Sequence, residues 1–98
     1  MEHLTPETVR ELVDLAGTRD EDDRLAARLR KLSMRELAEL KALIWIGREH
    51  DWPQHWDALV IEARSKVDFN TPAVLAESSD LANALISGLE RMQDAGRI

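Results

Sequence analysis

Helix start signals recur at short intervals along this 98-residue chain, so its helices have to be short. Thr5 is followed by Pro6, which places a capping residue directly before a proline at the first helical position. Ser33 and Glu36 have the spacing of a capping box, in which each side chain satisfies a backbone N–H of the other residue. Two further start signals are Thr18 with Glu21 and Thr71 with Pro72.

Apolar residues between these signals recur every three or four positions, which is the spacing of one face of an α-helix. Gly17 and Gly96 follow the first and last of these stretches, where glycine commonly ends a helix. We therefore predict an all-α fold, a small orthogonal bundle of five to six short helices, in a single domain that covers residues 1–98. The predicted inward positions are Val9, Leu12, Val13 and Ala16; Leu25, Leu29 and Leu32; Leu37, Leu40 and Ile44; Trp52, Trp56, Leu59, Val60, Ala63 and Val67; and Leu81, Leu85, Gly88, Leu89 and Met92.

The segment from Leu43 to Ile46 is apolar on every side if it is helical, because successive residues point about 100° apart. A helix that is apolar all round is a buried one. A strand is the rival interpretation, but residues 35–42 before it are good helix formers with no breaker between. We expect a third helix that runs to about Arg48 and forms the centre of the core.

All three tryptophans lie in one short stretch. Trp52 and Trp56 are four residues apart on the apolar stripe of the fourth predicted helix, so both are expected in the core. Trp45 has Lys41 and Arg48 as helical neighbours, and either cation could lie against its ring. Trp45 therefore fits the edge of the core and a contact surface equally well.

Gly47 and Gly88 lie on apolar helix faces, where glycine lowers helix stability by about 1 kcal/mol and needs a reason. For Gly88 we expect a close helix crossing. At Gly47 two explanations stay open, a close crossing or a helix end in the left-handed conformation. A third interpretation is functional, with an exposed backbone amide beside Arg48 binding an anion.

Two isoleucines break the amphipathic pattern. Ile46 shares its stripe with charged residues on the third helix, and Ile61 does so on the fourth. A second apolar surface near the tryptophans is most often covered by a second copy of the chain. The leading prediction is a non-enzymatic helical protein-interaction module, a homodimer or a binder of another protein, with Trp45, Ile46 and Ile61 as interface candidates.

A small-molecule or anion-binding domain at the Trp45/Arg48 turn is the alternative prediction. Its ligand-binding candidates are Trp45, Gly47, Arg48 and His55, which combine aromatic, backbone and cationic groups in one segment.

Charge makes nucleic-acid binding the weakest of the three predictions. The chain has a net charge of −6, whereas nucleic-acid binders usually present a basic face. One basic cluster runs from Arg24 to Arg35, after an acidic run at 20–23 that can pair part of it, with Asp20 four residues before Arg24. We interpret the cluster mainly as a solvated helix face, with a weak anionic contact as the remaining option.

No catalytic, metal or cofactor site is predicted. His50 and His55 are five residues apart with a proline between, which does not suit two ligands on one helix face. Glu49 and Asp51 show no sign of the burial that general acid–base chemistry needs. The chain has no cysteine, and its longest apolar run is far too short to span a membrane. A cytoplasmic address without membrane contact is the expectation.

Several residues together resemble an uncharacterised bacterial family, domain of unknown function family 3775. The resemblance covers nearly the whole chain, and its most specific part is the segment Leu43-x-Trp45-x-Gly47-Arg48. Members of that family often carry a second glycine after the arginine, where this chain has Glu49. The resemblance implies a small, helical, bacterial, stand-alone domain, and it supplies no activity, cofactor or catalytic residue. The other matching residues are Leu40, Ala42, Trp56, Ala63-Arg64, Thr71-Pro72, Leu81-Ala82, Leu85 and Gly88-Leu89.

Overall fold

Short α-helices make up most of the residues that a computed structural model describes, which are 1–17 and 24–98. The predicted helix start at Thr18 and the acidic run at 20–23 lie outside the described residues. The helices are α1 (Pro6–Gly17), α2 (Arg24–Arg30), α3 (Met34–Gly47), α4 (Trp56–Lys66), α5 (Thr71–Glu77) and α6 (Leu81–Asp94), and a single 3₁₀ turn (Pro53–His55) precedes α4.

Helix α3 is the centre of the bundle. It packs along α6 on one side and against α4 on another, while α1 lies on α6 and α2 contacts both α5 and α1. The described residues contain no strand, and their Cα radius of gyration is 12.3 Å. The structure confirms the prediction of a small all-α bundle.

The predicted helix caps form hydrogen bonds in the structure. The Thr5 hydroxyl oxygen accepts from the backbone N–H of Thr8 at 3.2 Å, one turn into α1. The Ser33 hydroxyl accepts from the Glu36 N–H at 3.1 Å, and the Glu36 carboxylate accepts from the Ser33 N–H at 2.9 Å. These bonds satisfy backbone donors that the first turn of a helix leaves unpaired. At the end of α6, Gly96 has a φ of 71°, as expected for a glycine that ends a helix.

The core contains nearly all of the predicted inward residues. Leu40, Leu43 and Ile44 of α3 are at most 2 % exposed, which confirms that α3 is the buried central helix. The other buried apolar residues include Val9, Leu12, Leu25, Leu29, Leu32, Leu37, Trp56, Leu59, Ala63, Val67, Leu81, Leu85, Leu89 and Met92.

Trp52 is an exception, because the prediction that it lies in the core is wrong. Its side chain is 61 % exposed. It precedes Pro53 in an extended conformation, since proline disfavours helical geometry in the residue before it. The helical stripe therefore begins at Trp56, and Trp52 instead lies against the guanidinium of Arg91, 5.3 Å from its ring centre.

Ile46 is a second correction, because it is fully buried rather than exposed. The sequence pattern places the stripe that it shares with Glu39 on the polar side of α3, yet Glu39 is only 2 % exposed. The N-terminal segment covers this stripe, since the Glu39 carboxylate accepts three backbone N–H bonds from residues 2–4. Near the other end, Arg91 of α6 donates to the Ile46 carbonyl at 2.8 Å. A buried side chain cannot provide an interface, so Ile46 is no longer a candidate.

Both glycines mark the place where α3 and α6 cross. A Cβ on Gly47 would lie 1.8 Å from the carbonyl oxygen of Ala84, and one on Gly88 would lie 2.5 Å from that of Leu43. A side chain at either position would overlap the facing backbone. This geometry confirms the close crossing expected at Gly88 and selects the same explanation for Gly47.

The left-handed residue at the end of α3 is Glu49, with a φ of 62°. Its N–H donates to the Ile46 carbonyl and the N–H of His50 donates to the Trp45 carbonyl, both at 3.0 Å. This pair of bonds defines a Schellman motif, in which glycine usually occupies the left-handed position. The chain therefore ends its central helix with a glutamate in a conformation that costs an L-residue energy.

Candidate functional site

The turn after α3, predicted as an anion site, is closed by an ion pair within the chain. Arg48 donates from Nε to Asp80 Oδ2 at 2.8 Å and from Nη2 to Asp80 Oδ1 at 2.7 Å. Nη2 also donates to the Ser78 hydroxyl at 2.8 Å, and that hydroxyl donates to Asp80 Oδ1 at 2.7 Å. The anion that Arg48 binds is therefore the carboxylate at the start of α6. Gly47 lies under the Ala84 carbonyl and presents no open cradle.

This ion pair shifts the pKa values of both partners. Hydrogen bonding to Arg48, and then to Ser78, holds the pKa of Asp80 well below its ordinary value. The bond to Asp80 raises the pKa of Arg48. The carboxylate is half exposed, so solvent weakens the pair, and its main effect is to tie the end of α3 to the beginning of α6.

Trp45 is half-buried, as predicted, but a different cation lies against it. The Lys66 ammonium is 5.4 Å from the ring centre, whereas Arg48 is engaged with Asp80. A shallow pocket of about 250 Å³ opens beside the ring and is lined by Trp45, His50, Asp51, Leu59, Glu62 and Lys66. Neither Gly47 nor Arg48 lines it. The four predicted ligand-binding residues are therefore not brought together in one site.

His55 bonds to a carboxylate one turn earlier in the chain. Its Nδ1 lies 2.5 Å from Asp51 Oδ1, and 60 % of its side chain is exposed. The bond to His55, followed by one from the backbone N–H of Trp52, lowers the pKa of Asp51. Across residues 1–17 and 24–98, no group of three histidine, aspartate or glutamate side chains is placed to hold a metal ion. The contact between His55 and Asp51 spans the turn before α4.

Ile61 has the exposure predicted for it. It projects from α4 with 71 % of its surface accessible, beside a cleft lined by several charged side chains. The charged residues of that cleft are Glu2, Arg35, Glu39, Asp57 and Arg64. Its role as an interface residue stays a prediction.

Sequence reasoning missed an apolar groove on the surface. Phe69, the only phenylalanine, is 92 % exposed, and Met34 is 62 % exposed. Both lie at the rim of a groove of about 340 Å³, whose buried lining consists of Leu32, Leu37 and Pro72. Arg30 and Asp68 are its charged residues. We call this feature the Phe69 groove.

A hydrogen-bonded turn holds Phe69 at the rim. The Asp68 N–H donates to the Thr71 hydroxyl at 3.0 Å, and the Asn70 N–H donates to the Asp68 carboxylate at 2.9 Å. Thr71 is 5 % exposed, so the turn is anchored on the start of α5. The sequence signal is an aromatic residue between Asp68 and Asn70, in a segment of turn-forming residues where polar side chains are usual.

The basic cluster is partly neutralised within the chain. Arg28 donates from Nε to the Glu11 carboxylate at 2.8 Å, which joins α2 to α1. Among the described residues, no helix is both long enough and apolar enough to cross a membrane.

The fold and its surface define a class: a small all-α domain that carries an apolar groove with an exposed aromatic residue at its rim. The chain belongs to the family described as "Protein of unknown function (DUF3775)", whose model matches residues 22–93, or 72 of the 98 residues. Comparisons with curated proteins and with solved structures gave no significant match. Every residue of the Phe69 groove lies within the matched segment.

Proposed function

We propose that this protein is a non-enzymatic helical interaction module that forms a homodimer through the Phe69 groove. The observation that carries the proposal is the 92 % exposure of Phe69 at the rim of an apolar groove. Full burial of a phenylalanine side chain stabilises a complex by about 1.5–3 kcal/mol relative to leaving it in water. The turn already holds the backbone that carries this ring, so docking the ring requires little further ordering of the backbone.

A second copy of the chain suits the groove, because the groove and the Phe69 ring that could fill it lie on the same face of the protein. In a two-fold symmetric pair, the same patch of each copy faces the other, so the Phe69 side chain of one would enter the groove of its partner. Met34 at the same rim adds a flexible apolar side chain that can adapt to the facing surface. Such a contact would cover the two exposed apolar side chains of this groove, Met34 and Phe69, on both copies at once.

A bacterial, cytoplasmic setting belongs to the same proposal. The family resemblance supports a bacterial source, and the cysteine-free composition suits a reducing compartment.

The oligomeric state of Phe69→Asp and of a matched variant, Ile61→Asp, tests the proposal. Both residues are more than two thirds exposed, so neither change should disturb the fold, which circular dichroism checks. Sedimentation equilibrium across the micromolar range should give a dimer for the original chain and for Ile61→Asp, and a monomer for Phe69→Asp. A monomeric original chain would overturn the proposal. Loss of the dimer in Ile61→Asp alone would overturn the groove as the contact surface.

A further inference from the structure

We propose that Arg30 and Asp68 determine which partner and which orientation the Phe69 groove accepts, with Arg30 of each copy contacting Asp68 of the other. This inference rests on the proposed homodimer and adds the residues that give it specificity.

The two residues are the charged lining of one apolar groove. Arg30 ends α2 and Asp68 lies in the turn before α5, so they come from separate elements. They form no ion pair with each other. Within residues 1–17 and 24–98, Arg30 has no ion-pair partner, in contrast to its neighbour Arg28, which is bound to Glu11. The structure therefore presents one unpaired cation beside the groove, together with an acid.

Among the residues that the structure describes, Asp68 is bonded only to groups of its own turn. Its carboxylate accepts from the Asn70 N–H and lies 3.5 Å from the Thr71 hydroxyl. A carboxylate can accept about four hydrogen bonds, so an incoming guanidinium could still bind it.

Two-fold symmetry turns this arrangement into two equivalent contacts. If Arg30 of one copy meets Asp68 of the other, the same rotation brings Asp68 of the first to Arg30 of the second. A docking arrangement that placed Arg30 on Arg30 and Asp68 on Asp68 would bring like charges together. Charges at the rim of an interface chiefly discriminate between arrangements and partners in this way.

Complementary charge reversals test the inference directly. Arg30→Asp alone, and Asp68→Arg alone, place like charges at both contacts, so each variant should dimerise roughly tenfold or more weakly than the original chain. An equimolar mixture should restore the dimer, because an Arg30→Asp copy has two acids and an Asp68→Arg copy has two cations at these positions. Arg35→Asp is the matched control, since it makes the same charge change outside the groove and should dimerise like the original chain.

Native mass spectrometry, with one variant isotopically labelled, separates the outcomes. A mixture that contains only mixed dimers supports the inference. Reversal variants that dimerise as tightly as the original chain would overturn the inference while leaving the homodimer in place, whereas a monomeric original chain would overturn both.

Asp68→Arg could also disrupt the turn that holds Phe69, so a second variant separates the loss of the charge from the loss of the turn. Asp68→Asn keeps an acceptor for the Asn70 N–H and removes only the charge. In that background Arg30→Asp should weaken the dimer less than it does alone. An equal effect in both backgrounds would contradict contact between the two positions.

Discussion

Gly47 of α3 and Ala84 of α6 lie so close that a Cβ on the glycine would be 1.8 Å from the alanine carbonyl oxygen. Backbone rather than a movable side chain occupies the space, so the two helices would have to separate to admit a methyl group. The crossing at the centre of the bundle therefore depends on glycine.

Gly47→Ala should destabilise the fold by about 3 kcal/mol or more, because overpacking outweighs the gain of up to about 1 kcal/mol in helix propensity. Urea unfolding followed by circular dichroism measures the change. Gly17→Ala is the matched control, since no atom of the described residues that could be displaced lies within 4 Å of a Cβ at that position. It should be neutral or slightly stabilising. Equal effects of the two substitutions would contradict the close crossing.

Glu49→Gly should stabilise the protein by about 0.5–1 kcal/mol. The residue has a φ of 62°, and glycine adopts that conformation without the steric cost that glutamate bears. For a domain of this size the change corresponds to a rise in Tm of roughly 2–8 °C in differential scanning calorimetry. Gly96→Ala makes the opposite change in the same motif at the end of α6, and its Tm should fall. A lower Tm for Glu49→Gly would contradict this account.

Glu39→Gln should destabilise the protein by about 2 kcal/mol. The carboxylate accepts from the N–H groups of Glu2, His3 and Leu4 at 2.8, 2.9 and 2.6 Å, and an amide would turn an N–H toward at least one of these donors. Hydrogen exchange at the Leu4 amide should accelerate. Glu36→Gln is the matched control, because glutamine also completes a capping box and should change little. Unchanged exchange at Leu4 would show that Glu39 does not hold the N-terminal segment.

The Arg48–Asp80 pair should make stability depend on pH. Folding lowers the pKa of Asp80 below its unfolded value of about 3.9. The contribution of Asp80 to the free energy of unfolding is therefore fully present above that unfolded value and declines as the pH falls below about 5. Asp80→Asn, a near-isostere of the protonated acid, should therefore be less stable at pH 7 by about 1 kcal/mol or less, and the difference should shrink toward pH 3. Urea unfolding at several pH values measures it. A constant difference would contradict the pair's contribution.

Most of the helices and their boundaries could be predicted from the sequence. The caps at Thr5 and at Ser33 with Glu36 depend on residues within one turn of each other, so they can be predicted without knowledge of distant contacts. Local rules also explain the failure at Trp52. The periodic stripe continued through it, while the following proline favoured an extended conformation, and the proline effect prevailed.

The candidate site was less predictable, because exposure depends on what covers a helix. The sequence pattern places Ile46 on a polar face, but the N-terminal segment covers Glu39 on that same stripe. Backbone N–H groups of that segment donate to the Glu39 carboxylate. The alternative prediction has Arg48 bind an external anion, but the fold places Asp80 against it from 32 residues away. The sequence shows where each charged residue lies along the chain, but it does not show which distant residue will contact it after folding.

The sequence by itself determined the all-α class, the caps and the apolar stripes of most helices, because hydrogen bonds and periodicity within a few turns specify them. Only the tertiary structure decided that Gly47 is a crossing point, that Ile46 is buried and that Phe69 stands exposed beside a groove. Those properties belong to pairs of elements that are remote in the chain. They exist only after the helices have packed, because packing decides which apolar side chains lose contact with water.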